Sequence, residues 1–102
     1  MEDYNQENQI KIELDEDIAL GTYANLAIIT HSSSEFILDF IRIMPGTPKA
    51  KVQSRIVLAP EHAKRLMLAL SDNIKKYELA LGKIQLPEET NLPPTVNIKG
   101  EA

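Results

Sequence analysis

The sequence predicts an α+β fold, with about four antiparallel strands followed by one long C-terminal helix and flexible tails at both ends. Three observations carry this. Four runs between residues 9 and 58 are rich in apolar β-formers and separated by turn signals. Residues 60–82 place one apolar stripe at helical spacing. The last twenty residues hold Pro87, Pro93 and Pro94 and little apolar surface. The expected organisation is an acidic disordered arm at 1–8, one domain at 9–82 and an extended tail at 83–102.

The first expected strand is Gln9–Leu14. Ile10, Ile12 and Leu14 alternate with Lys11 and Glu13, the period of a half-buried strand. Asp15-Glu16-Asp17 ends it, and Gly21 supplies a turn in the connection that follows. Tyr23–His31 is the second strand, with Leu26 and Ile28 on one face and Ala27 and Ile29 on the other. Ser32-Ser33-Ser34 is a polar turn. Phe36–Met44 is the third strand, with Phe36, Leu38 and Phe40 opposite Ile37, Ile41 and Ile43. Pro45-Gly46-Thr47-Pro48 then breaks the chain, because proline donates no ladder hydrogen bond. Lys51–Leu58 alternates Val52, Ser54, Ile56 and Leu58 against Lys51, Gln53, Arg55 and Val57. The short connections favour an antiparallel meander.

Pro60 suits the first helical position, where its missing N–H costs nothing. Glu61 complements the positive end of the helix dipole. Ala63, Leu66, Met67, Leu70, Ile74, Tyr77 and Leu81 form the stripe, and Gly82 suits the position just past the helix end. Ala59 is a poor N-cap. Burial of the stripe against the sheet is expected, so that Leu70→Ala would cost about 2–5 kcal/mol.

The chain has 102 residues, enough for one domain, and no cysteine, which removes disulfides, thiolate metal sites and cysteine nucleophiles. Residues 1–17 carry seven acids against Lys11 alone, whereas the remainder holds ten Lys/Arg and eight acids. An acidic arm on a near-neutral body would repel nucleic-acid phosphates or compete for a basic surface, and its bland reading is a solvated tail that aids solubility. The polar start MEDYNQENQ is the reverse of a secretory signal, and no apolar run approaches membrane-spanning length. A cytoplasmic location without membrane contact is the expectation.

One helix can cover one face of such a sheet, yet the strands are apolar on both faces. The second face is therefore expected to meet a partner. Its candidate residues are Ile29, Ile37, Ile41, Ile43 and Val57, with Val96 and Ile98 in the tail segment Thr95–Ile98, which is suited to adding a strand to a sheet edge. The bland alternative is a twisted sheet that wraps the helix.

Candidate chemistry is thin. His31, Ser32–Ser34 and Asp39 suggest a hydrolytic set but lack a nucleophile-elbow pattern. His62 beside Glu61 lacks metal-ligand spacing, and the four glycines lie far apart. Lys49, Lys51, Arg55, Lys64 and Arg65 are basic, with no aromatic platform beside them for stacking bases. No catalytic residue, metal or cofactor is expected, and the chain reads as a non-enzyme.

Several segments taken together resemble the DUF3467 family of bacterial proteins. They are Tyr23-Ala24-Asn25, His31–Phe36 leading to Leu38-Asp39-Phe40, Arg55–Leu58 with Pro60–Leu66, and Asn73–Glu78. The resemblance covers residues 23–84. Ala59 departs from the Ser or Thr usual before Pro-Glu-His, which weakens the helix cap. The family implies no established activity. Its genes often lie beside those of the large RNA polymerase subunits in Bacteroides-like bacteria, which implies an accessory subunit of RNA polymerase. The strand-strand-strand-helix order is also similar to the chaperone SecB, which implies a homo-oligomeric chaperone as the alternative. The expected partner is thus RNA polymerase or a second copy of the chain, with no direct nucleic-acid binding.

Overall fold

The structure is a computed structural model, and it describes residues 9–87. The predicted arm at 1–8 and most of the tail, including Val96 and Ile98, lie outside the described residues. Element order is α1 (Glu16–Ala19), β1 (Leu26–His31), β2 (Phe36–Arg42), β3 (Lys51–Leu58) and α2 (Pro60–Leu81). The strands form one antiparallel meander in the order β1-β2-β3.

The serine turn closes the first hairpin. Ser32 donates its backbone N–H to the Glu35 carbonyl at 2.9 Å, and its hydroxyl accepts from the Ser34 N–H at 3.2 Å. This is a local side-chain turn, for which serine is well suited. The register then runs unbroken from His31↔Phe36 to Leu26↔Ile41. At the far end the Asn25 side chain continues the ladder. Its Nδ2 donates to the Ile43 carbonyl at 3.0 Å, and its Oδ1 accepts the Ile43 N–H at 2.8 Å. In the second hairpin, Gly46 takes a positive φ of 82° in the turn predicted at Pro45–Pro48, and Thr47 donates its N–H to the Met44 carbonyl. Between β2 and β3 the register shifts at Phe40/Ile41, so that Gln53 is the extra residue of a bulge.

Among the described residues the predicted four strands become three. Gln9–Leu14 is not a strand, and Ile10 and Ile12 are 81% and 88% exposed. Alternation gives a segment the right faces, but a strand also needs a neighbour's backbone groups. Neither sheet edge supplies them here. The next acids, Glu16 and Asp17, open the one-turn helix α1, where the dipole favours them.

The helix forms where expected, with Pro60 in its first turn and Gly82 past its end at φ 103°. Glu78 finishes it by accepting the Ile84 N–H at 3.0 Å. The packing differs from expectation: no residue of α2 is buried. Ala59 alone separates β3 from α2, so the chain leaves the sheet edge directly into the helix. His62, Arg65 and Leu66, from its first two turns, face the sheet across an open wedge. Leu70, Ile74 and Tyr77 remain exposed. Among the described residues only Leu38 and Ile41 are buried hydrophobics. Both belong to β2, the strand with neighbours on each side.

Asn25→Ala removes both bonds to Ile43 and should lower stability by about 1–2 kcal/mol. A fall in the urea midpoint checks this. An unchanged midpoint would mean that Ile43 is held without Asn25.

Candidate protein-contact surface

Parity along the strands sorts the apolar residues into two faces. On one face the register aligns Ile29 with Leu38 and Ile56, and His31 with Phe36 and Leu58. On the other it aligns Thr30 with Ile37 and Val57, and Ile28 with Asp39 and Arg55. Helix α2 follows the first face. There Leu38, Phe40, Ile56 and Leu58 meet His62, Arg65 and Leu66 around an open apolar wedge of about 510 Å³. Of the three strands, β2 and β3 line the wedge and β1 does not; on the same face of β1 the residues Ala27, Ile29 and His31 are exposed.

The residues singled out from the sequence divide between these faces. Ile29 lies on the helix side, 60% exposed. Ile37, Ile41 and Val57 lie on the other face, where Ile41 is buried and Val57 exposed. Ile43 sits just past the end of β2, held through its backbone by Asn25. The sequence set therefore does not form a single patch. Outside that set, Leu66, Met67, Leu70, Ile74, Tyr77 and Leu81 are all exposed along α2. Their spacing was visible, but it marks a face that needs covering and not what covers it.

The helix also carries its own charge pairs. Arg65 meets Glu61 at 2.7 Å and Lys76 meets Asp72 at 3.1 Å, each one turn apart. With Arg65 and Arg55 in ion pairs, the basic set of Lys49, Lys51, Arg55, Lys64 and Arg65 is partly neutralised.

The hydrolytic set is not assembled. His31 stacks on Phe36, with ring centroids 5.3 Å apart. Asp39 stands on the opposite face and is held by Arg55 through two hydrogen bonds, Nε to Oδ1 at 2.7 Å and NH2 to Oδ2 at 2.9 Å. Ser32 is engaged in its turn. Among the described residues no group of three or more His, Asp or Glu is placed to hold a metal ion. No helix among them is long and apolar enough to cross a membrane.

The Arg55 hydrogen bond pulls the Asp39 carboxyl below its ordinary value of 3.8; partial burial opposes this, and the guanidinium charge adds to it. A carboxyl with a depressed folded pKa stabilises the fold above its unfolded value. That contribution is lost as pH falls through the folded value. Asp39→Asn lacks it at every pH, so its urea midpoint should fall less than the wild-type midpoint on acidification below 3.8. Parallel acid limbs would show that the pair does not contribute.

Leu70, 55% exposed, gives a second test. Leu70→Ala should change the stability of the isolated chain by no more than about 0.5 kcal/mol, as at other surface positions. A loss of about 2–5 kcal/mol would return Leu70 to a core.

No curated protein and no solved structure matches the chain at a significant level. The match is at the level of family: the model of DUF3467, a protein family of unknown function, covers residues 1–86, and the chain belongs to that family.

Proposed function

We propose that this protein is a non-enzymatic protein-binding module that docks through the apolar face of α2 and the wedge beside it. The observation that carries the reading is the exposure of the helix stripe from Leu66 to Leu81. A 22-residue helix with one apolar face gains little from standing in water. Contiguous exposed apolar surface on a folded chain commonly marks a contact site. Complementary i,i+4 ion pairs on the same helix would keep it formed while the apolar face is uncovered.

RNA polymerase is the partner we propose, on the strength of the gene neighbourhood that the family implies. The near-neutral body makes direct competition for nucleic acid a poor fit. The wedge supports a second reading, a holdase of the SecB kind. Its lining of Leu38, Phe40, Ile56, Leu58 and Leu66 would accept apolar side chains of an unfolded client.

Tagged protein recovered from the native bacterium at about 0.15 M salt should bring down the polymerase subunits in stoichiometric amount. Leu70→Glu should reduce that recovery at least tenfold while leaving the far-UV circular dichroism unchanged. Capture of many unrelated unfolded chains in place of polymerase would select the holdase reading. Recovery of neither would overturn both.

A further inference from the structure

The two outer edges of the sheet are built differently. Strand β3 carries Lys51 and Arg55, is bulged at Gln53, and is bracketed by Pro48 and Pro60. Charge, bulges and proline are the usual devices that keep an edge from pairing. Strand β1 has none of them. Leu26–His31 contains no Lys, Arg, Asp, Glu or proline, and its register with β2 is unbroken. No charged residue occurs anywhere from Ala24 to Ser34. Among the described residues β1 pairs with β2 alone.

The hairpin fixes which β1 groups face outward. Ser32 and Glu35 stand one step beyond the His31↔Phe36 pair, and the Ser32 N–H bonds to the Glu35 carbonyl. Hydrogen-bonded and non-hydrogen-bonded pairs alternate along an antiparallel ladder. Thr30 and Ile28 therefore direct their N–H and C=O toward β2. Ala27, Ile29 and His31 direct theirs to the open edge.

We propose that β1 pairs antiparallel with β1 of a second copy about a twofold axis through Ile29. The two three-stranded sheets then join into one of six strands. In this register Ile29 opposes Ile29 of the second copy, and Ala27 opposes His31 on either side. Every outward N–H and C=O of the strand gains a partner. Centring the axis on Ile28 would leave those of His31 unpaired. The twofold also preserves the faces, as an isologous contact requires. The apolar row Ile56–Leu38–Ile29 continues directly into the same row of the second copy. That contact covers the exposed Ile29 side chain, and no like charges meet across it.

The proposal rests on reading the exposed apolar surface as contact surface, and it assigns a different part of that surface from α2. It explains why β1 is bare on the side where α2 covers only β2 and β3: the row is completed by a neighbour and not by the chain's own helix.

The test uses the full chain, which has no native cysteine. Light scattering at micromolar concentration should give a dimer for the wild type. Ile29→Lys sets two ammonium groups face to face and should weaken dimerisation at least tenfold with unchanged circular dichroism. Ile29→Cys should form a covalent dimer on mild oxidation, since Cα atoms of a hydrogen-bonded pair lie about 5.5 Å apart, within disulfide reach. Val57→Cys, on β3 and on the other face, should not. A monomeric wild type would overturn the proposal, as would an undiminished Ile29→Lys dimer or failure of Ile29→Cys to cross-link. Should Ile29→Lys fail to fold, the cross-link decides alone. Polymerase recovery with these variants separates the two readings: recovery without a dimer sinks only the edge pairing, and a dimer without recovery sinks only the polymerase partner.

Discussion

Strand β2 is the element on which the others depend. Among the described residues it is the only strand with a neighbour on each side, and its Leu38 and Ile41 are their buried hydrophobics, one on each face. The register it imposes aligns Ile29 with Ile56 and places Asp39 beside Arg55. Two local devices fix that register: the serine turn at one end of the first hairpin and the Asn25 amide at the other. A one-residue slip would exchange the faces of every side chain on β1.

A sheet of three strands with a helix leaning over one corner offers little apolar burial against the entropy of ordering the backbone of these elements. The apolar side chains are present in the sequence, but most are not yet covered. That imbalance makes the wedge, the helix stripe and the β1 edge three aspects of one property. Each is a place where burial among the described residues stops short. Two proposed contacts, one along α2 and one along the β1 edge, would complete the burial at different parts of the sheet.

The polar residues that invite a chemical reading have structural roles. His31 lies on Phe36, Asp39 is clasped by Arg55, Ser32 shapes a turn and Glu78 closes the helix. Their positions also explain why the sequence pattern was misleading. His31 and Asp39 are close along the chain, but strand parity sends them to opposite faces.

The sequence by itself determined the elements governed by short-range chemistry. Lys51–Leu58 and the start of the long helix at Pro60 fall where alternation, the proline and the helical stripe place them. The strands around the serine turn were legible, and only their outer ends are shorter than expected. Membership of DUF3467 was legible too, from residues that set those turns and the helix start. Tertiary structure alone decided what depends on a second surface. Gln9–Leu14 has the alternation of a strand and does not form one, because a strand requires a neighbour that the pattern does not name. Ile29 separates from Ile37 and Val57, because faces follow from register and not from apolar character. The stripe of α2 stays open, because periodicity gives a helix its apolar side, while the one-residue link at Ala59 determines where that side can go.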